Sequence, residues 1–349
     1  MSTLSDKYSF YEKYAHYAEE LDAERTDRRA RRHRRVRAQP PTYRERDEEV
    51  AELADVVGLE GGFNITYQPA RHERVWLLQS LRPFYDQHLI SDVLAIVKGG
   101  KEANVYLCAA TPETGATWLA AKVYRPRMFR NLRNDKRYRQ GRSVIGTDGK
   151  EVKDSDRREM RALNKKTSFG EQLAHTSWLM YEYMTLEAMY AAGGDVPQPV
   201  AVAGNAILMG YIGDDGLAAP ALSEVRLERA EARPLFRRVL HNVALLLQEG
   251  LIHGDLSAYN ILYWEGAVTL IDFPQVVDSE QNDEAYDILG RDVKRVCDYF
   301  NRYGLAANSA AITRQLWRQF VIMPDPEDVA ADLSRLFEEE GVEGRSGDA

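Results

Sequence analysis

Cysteine is nearly missing from this chain: Cys108 and Cys297 are the only two in 349 residues. Two thiols cannot build a disulfide framework or fill a structural zinc site, and a reducing compartment is the default expectation. Long apolar runs are missing as well. No stretch approaches the roughly 18 residues of a membrane span, and the longest candidate, Val243 to Ile252, is interrupted by Gln248, Glu249 and Gly250. The N-terminus is polar and tyrosine-rich where a secretory signal would need an apolar segment. A cytoplasmic location with no membrane partner is therefore expected. Internal repeats are absent too.

Charge of both signs is present but segregated. The formal net charge is −8, yet Arg25–Arg37 alone holds eight arginines against Asp27. Arg125–Arg142 carries eight basic residues against Asp135, and the tail from Pro324 has nine acids against Arg335 and Arg345. Local patches therefore say more about partners than the overall balance does. Tyr8, Tyr11, Tyr14 and Tyr17 recur every third residue, and Pro40-Pro41 closes the arginine cluster. Residues 1–70 read as an arginine-rich, partly disordered extension, with contact to RNA or another acidic partner as the sharper reading.

Beyond residue 70 the pattern becomes dense. Trp76, Leu77, Leu81 and Phe84 have helical spacing. Val93–Val97, Asn104–Ala109 and Trp118–Tyr124 read as strands of an antiparallel sheet, with a Pro112-Glu113-Thr114-Gly115 turn between the last two. Residues 125–175 are polar, basic and rich in Gly, Asp and Ser, and read as a long mobile loop. A helix is expected over Thr176–Ala192, a strand over Ala206–Met209, and a flexible crossover over Gly213–Pro220. A second helix is expected over Pro234–Glu249 with Pro234 in its first turn. Ile261–Trp264 and Val268–Ile271 form a hairpin around Gly266.

The chemistry is densest in His253-Gly254-Asp255-Leu256-Ser257-Ala258-Tyr259-Asn260 and in Ile271-Asp272-Phe273-Pro274. An Asp that can take a hydroxyl proton, an Asn five residues on, and a second Asp past a short hairpin match the phosphoryl-transfer arrangement of protein kinases. Asp272 follows an apolar strand that would bury its carboxylate unless a cation met it. Magnesium supplies that charge, with manganese able to replace it, and Asn260 adds a neutral oxygen ligand. Lys122 lies in the apolar strand Leu119–Tyr124, where this chemistry needs a lysine for the α/β-phosphates of ATP.

The partner of Lys122 follows from helical geometry. With Glu182 at zero, the apolar set Trp178, Leu179, Tyr183, Leu186, Met189 and Tyr190 centres about 40° away, whereas Glu187 lies at the stripe's edge. A carboxylate inside a buried stripe needs a cation, and Lys122 is the candidate. Lys98-Gly99-Gly100-Lys101-Glu102-Ala103-Asn104-Val105 occupies the place of the nucleotide-covering loop, with only the middle glycine of Gly-x-Gly-x-x-Gly kept, as Gly100. His253 reads as a packing and hydrogen-bonding residue of its turn, not a proton shuttle.

Together these residues resemble the RIO family of atypical serine/threonine protein kinases. Gly100–Tyr106, Lys122-Val123-Tyr124, Leu208–Gly213, Ala219–Leu222, His253–Asn260 and Ile271–Gln275 carry the likeness. Lys122-Val-Tyr and Asp255-Leu-Ser-x-Tyr-Asn look like the first RIO subfamily, while His-Gly-Asp and Asp272-Phe-Pro-Gln are closer to the second. Without an evident winged-helix module, the reading leans to the first. The resemblance implies an α+β, two-lobed, protein-kinase-like fold with an antiparallel N-lobe sheet and a reduced, mainly helical C-lobe. The N-lobe would span 71–209, the C-lobe 210–305, and a C-terminal helix with the acidic tail 306–349.

It further implies catalysis by Asp255, Asp272 and Lys122, metal binding by Asn260 and Asp272, and nucleotide contacts from Gly100, Lys101, Glu102, Ala103, Val105, Lys122, Glu182, Met209 and Ile212. Met209 would be the gatekeeper, followed by the adenine-binding hinge. The family is described as forming an aspartyl-phosphate on the residue matching Asp272 and as acting in small-subunit ribosome maturation. A ribosomal particle is accordingly an expected partner, and the loop 125–175 would hold autophosphorylation sites at Ser143, Thr147, Ser155, Thr167 or Ser168.

Three departures stand out: Gly210 in the hinge, the broken Gly-x-Gly, and Pro274 where Asp-Phe-Gly has glycine. No Ala-Pro-Glu follows Asp272. Autophosphorylation or ATP hydrolysis is therefore expected over peptide phosphorylation. The rival readings are an aminoglycoside- or choline-type small-molecule phosphotransferase and an ATP-sensing RNA or ribosome assembly factor.

Overall fold

The computed structural model describes residues 63, 65–100, 102–124, 144, 152, 156–165 and 167–322. Segments 25–37 and 125–142, the tyrosine-spaced stretch, Lys101, Ser143, Thr147, Ser155 and the acidic tail lie outside the described residues.

Helix α1 (Arg71–Asp86) turns Leu77, Leu81 and Phe84 to one side, and all three are fully buried. Each such side chain contributes roughly 1.5–3 kcal/mol on leaving water. They meet a five-stranded antiparallel sheet of β1 (Ile90–Gly99), β2 (Ala103–Ala110), β3 (Trp118–Tyr124), β4 (Pro199–Ala203) and β5 (Ala206–Gly210), ordered β1-β2-β3-β5-β4. Strand alternation then sorts the side chains. Leu119, Ala121 and Val123 of β3 join the α1 cluster, whereas Tyr124 joins the cluster on the opposite side. Lys122 alternates with them onto the Tyr124 face, paired across to Val105 and Ile207, with Ala120 opposite Met209. One sheet face is thus core and the other forms the roof of a cleft.

Edge strand β4 escaped the sequence reading. It begins with proline, which an edge tolerates, and all five residues are half-buried, so no alternation marks it. The expected loop over 125–175 is also corrected in its second half. Arg157–Lys165 forms α2, and Ser168–Ala191 forms α3, which starts eight residues before the expected Thr176. Thr167 caps α3 by accepting the Gly170 N–H at 3.1 Å. Gly170 looked like a loop residue, but it is there because a Cβ would lie 2.1 Å from the Ala162 carbonyl oxygen of α2. Close helix contact, not backbone freedom, explains that glycine.

The C-lobe follows through a two-strand hairpin, β6 (Gly213–Asp214) and β7 (Leu217–Ala218), where a flexible crossover was expected. Helix α4 (Arg229–Gln248) begins five residues before Pro234, at a capping box formed by Glu228 and Glu231. Pro234 therefore sits inside the helix, where it removes one backbone hydrogen bond. Short β8 (Leu251–Ile252), the hairpin β9 (Ile261–Trp264) and β10 (Ala267–Leu270), and β11 (Val277–Asp278) hold the functional loops against α4. Helices α5 (Ala285–Asn301) and α6 (Ser309–Trp317) close the lobe. Leu316 and Phe320 join the core cluster of α4 and α5, so the segment after 305 is part of the lobe as far as it is described. The architecture is α+β and two-lobed, as expected.

Candidate active site

Lys122 is the centre of the site. Its Nζ lies 2.5 Å from Glu182 Oε1 and 2.5 Å from Asp272 Oδ1. One ammonium from β3 thus ties α3 to the segment after β10. The Lys122 side chain is 11% exposed and that of Glu182 4%. Burial works against the lysine's charge, but Asp272 and Glu182 outweigh it and hold its pKa well above the ordinary value. The Tyr124 hydroxyl donates to Glu182 Oε2, and its ring lies 5.2 Å from Nζ. Removing one member of such a buried pair costs about 3–5 kcal/mol.

Asp272 is more open than its partners, with 42% of its side chain exposed. Burial of its carboxyl is more than offset by Lys122, with smaller help from His253 and Lys98, and its pKa is lowered. Its backbone is left-handed, φ 73°, at a non-glycine residue. That conformation costs on the order of 1–3 kcal/mol and persists only where neighbours enforce it. They do. Ile271 N donates to the Asn260 carbonyl at 3.0 Å, and His253 Nε2 meets the Ile271 carbonyl at 3.2 Å. Beyond Asp272, Trp178 Nε1 of α3 donates to the Pro274 carbonyl at 3.1 Å.

The loop between β8 and β9 carries the second half of the site. Asn260 Nδ2 donates to the Asp255 carbonyl at 2.9 Å and to Asp255 Oδ2 at 3.3 Å. With its NH2 committed there, the amide has its oxygen left as the atom able to ligate a metal. One half-open carboxylate, Asp272, and one amide oxygen, Asn260, held side by side through Ile271, fit magnesium that shares phosphate oxygens. Asp255 Oδ1 accepts from Arg295 Nη1 at 2.8 Å. Its backbone N–H approaches His253 Nδ1 at 3.3 Å, and burial lowers the His253 pKa. A neutral imidazole donating from Nε2 to Ile271 suits the packing role expected of it.

The nucleotide-covering segment is tighter than the sequence suggested. Strand β1 continues through Lys98 and Gly99, which pair with Val105 and Asn104, so only residues 100–102 remain to turn. Gly100 is required there, since a Cβ would lie 2.5 Å from the Ala103 carbonyl oxygen. Ala103 and Val105 share the cleft face with Lys122, and Glu102 is exposed. Met209 shares that face as well, while Gly210 donates its N–H to the Gln198 carbonyl at 2.8 Å. Ile212 follows, its carbonyl accepting from Ala219 N at 2.9 Å.

Three contributors were missed. Asp292 of α5 is 2% exposed and takes the Gly254 N–H at 2.8 Å, with Arg291 Nη2 3.5 Å and Arg295 Nη1 4.0 Å from its other oxygen. Burial pushes its pKa up to about 6. The argument used for Glu182 would have found it, because Ile288, Leu289, Val293 and Val296 surround it on the buried stripe. Arg295, one turn on, and Trp178 carry no sequence signal of their own. Each gains meaning only from what the fold sets opposite.

The RIO domain model matches residues 104–312, more than half of the chain. Serine/threonine-protein kinase RIO1 of Chaetomium thermophilum is 30% identical over 67% of this chain and 43% of its own length. RIO-type serine/threonine-protein kinase Rio1 of Haloferax volcanii is 28% identical over 68% of this chain and 71% of its own. The chain thus spans less than half of the first of these relatives. A solved structure of the Rio2 kinase–ADP/Mg2+–phosphoaspartate complex from Chaetomium thermophilum aligns over 82% of this chain and 84% of its own, at 17% identity and a TM-score of 0.48. The matched domain, the RIO1 relatives and the assembled site lead to one conclusion: this chain belongs to the RIO family, nearer RIO1.

Proposed function

We propose that the protein is a RIO-type atypical serine/threonine kinase and ATPase. The observation that carries the reading is Lys122 at 2.5 Å from both Glu182 and Asp272, at the meeting of the two lobes. Glu182 holds the ammonium against the α/β-phosphates of ATP. Asp272 and Asn260 would hold magnesium, or manganese in its place, which neutralises charge on the transferring phosphoryl group when bound. Gly100, Lys101, Glu102, Ala103 and Val105 cover the nucleotide, and Met209 with Ile212 frames the adenine.

Asp255 then takes the proton of the acceptor hydroxyl. Arg295 and Asn260 fix its two oxygens, so the carboxylate meets the acceptor in one orientation. The acceptor is a serine or threonine, this chain's own included, or water through a phosphorylated Asp272. Attack of the Asp272 carboxylate oxygen on the γ-phosphorus displaces ADP, and water cleaves the acyl phosphate to release phosphate and restore Asp272. RNA or a ribosomal particle as partner rests on the arginine-rich segments 25–37 and 125–142 and on the family.

Incubation with γ-labelled ATP and magnesium, resolving free phosphate, labelled chain and labelled added protein, tests the reading. Asp272→Ala should abolish turnover, and Lys122→Ala should reduce it by at least 100-fold in a folded chain, on the scale of about 3 kcal/mol of lost transition-state stabilisation. Wild-type turnover in either folded variant would sink the assignment. Label transferred only to a small non-protein acceptor would favour the small-molecule phosphotransferase instead.

A further inference from the structure

We propose that Glu73, in the helix preceding the sheet, is a positioning residue for the nucleotide-covering turn, acting through Tyr106 and Asn104. The inference deepens the ATP site proposed above and rests on it. Glu73 lies in the first turn of α1, on the sheet face opposite the cleft. Nothing in the phosphoryl-transfer chemistry uses it. Yet its Oε1 accepts from the Tyr106 hydroxyl at 2.5 Å and from Asn104 Nδ2 at 3.3 Å. Asn104 Nδ2 also donates to the Tyr106 hydroxyl oxygen at 2.9 Å, and Asn104 Oδ1 accepts the Gly100 N–H at 3.2 Å.

The polarity of this chain of bonds matters more than its length. A carboxylate only accepts, so Tyr106 must spend its proton on Glu73 and offer a lone pair to Asn104. That fixes the NH2 of Asn104 toward Glu73 and Tyr106, and therefore its oxygen toward Gly100. Without Glu73, the Tyr106 hydroxyl can donate to an inverted amide, which sets an NH2 against the Gly100 N–H, donor against donor. Asn104 is 3% exposed and Tyr106 fully buried, so water cannot easily repair the mismatch. Burial, with Glu73 next, raises the Tyr106 pKa and keeps its hydroxyl protonated. The turn itself has little slack, because Gly100 already lies against the Ala103 carbonyl. Loss of the Gly100 bond therefore loosens the backbone at Gly100, where the turn begins.

The test compares Glu73→Ala, Glu73→Gln and Tyr106→Phe in the full chain. The readouts are MgADP affinity by calorimetry, KM for ATP, kcat, and exchange of the Gly100 amide proton. Glu73→Ala should weaken MgADP binding and raise KM about three- to ten-fold, the scale of one hydrogen bond, and leave kcat within two-fold. Its Gly100 amide should exchange faster. Glu73→Gln keeps an accepting oxygen and should restore affinity to within two-fold of wild type. Tyr106→Phe, in which Glu73 still accepts from Asn104 Nδ2, should keep affinity within about two-fold; if Glu73→Ala fails to fold, Asn104→Ala, which removes the acceptor of the Gly100 N–H, should show the same weakening. Wild-type affinity in a folded Glu73→Ala protein, or equal impairment in Glu73→Gln, overturns the proposal alone. A wild-type chain that binds no MgADP overturns it together with the ATP site.

Discussion

Asp292→Asn separates what the fold needs from what catalysis needs. The Asp292 carboxyl, 2% exposed, is pushed up to about 6, against about 3.9 in an open chain. Carrying the ionised carboxylate from the unfolded into the folded chain at pH 7 therefore costs about 3 kcal/mol of stability. Between those two values the folded chain binds the extra proton, so this group removes stability as pH rises through the window. Asparagine keeps the shape and one accepting oxygen for the Gly254 N–H, but sets an NH2 where Asp292 Oδ1 faces Arg291 Nη2 at 3.5 Å and Arg295 Nη1 at 4.0 Å. Losing the acceptor for those two guanidinium groups costs about 1–3 kcal/mol, which the relieved desolvation of the charge offsets. Urea unfolding at pH 7 should thus place the variant within about 2 kcal/mol of wild type.

Turnover should behave differently. The Gly254 N–H directly precedes Asp255 and Arg295 meets both Asp255 and Asp292, and a shift of roughly 1 Å in a reacting group costs on the order of 100-fold. Maximal turnover should therefore fall by about one to two orders of magnitude, while KM for ATP stays within about two-fold because Lys122 and Asp272 are untouched. Wild-type turnover should also decline as pH drops through about 6, when Asp292 gains its proton, and the variant should lack that limb. Phosphate release measured from pH 5 to 8 on both proteins decides the matter. A folded variant that turns over as fast as wild type, or one that keeps the limb near pH 6, refutes the reasoning.

Gly170→Ala should lower stability by about 1–3 kcal/mol, although alanine is the better helix former, because its Cβ would overlap the Ala162 carbonyl. A raised melting temperature would show that the α2–α3 contact is not as close as described. Trp178→Phe loses the bond to the Pro274 carbonyl and should cost no more than about 1.5 kcal/mol in stability. It should raise several-fold the magnesium concentration that turnover requires, because that bond helps hold Asp272. An unchanged magnesium dependence would count against the role.

What the sequence disclosed and what it withheld follow from the range of each signal. Asp255, Asn260 and Asp272 stood out because their spacing is local to one loop and one hairpin. Glu182 was reachable because burial on a helix obeys a period, and the same period marks Asp292. Strand β3 was read to the residue, since Lys122 interrupts an otherwise apolar run. Strand β4 was invisible because proline and half-burial erase the alternation that strands advertise. The early start of α3 was hidden by Gly170, whose reason lies in another helix. Glu73 and Asn104 are 31 positions apart, and no periodicity links residues that meet only through tertiary packing.

Phe273 is held more firmly than its neighbour Asp272. Its ring is 1% exposed and lies 5.0 Å from that of His253, while Pro274, with φ locked by its own ring, follows directly. A glycine at that position, as in Asp-Phe-Gly, would give the backbone freedom to turn the ring outward. Here the swivel is missing and the next carbonyl is tethered to α3. Turning that ring outward would forfeit its burial and pull on the Trp178 bond, so the motif is built to keep one conformation.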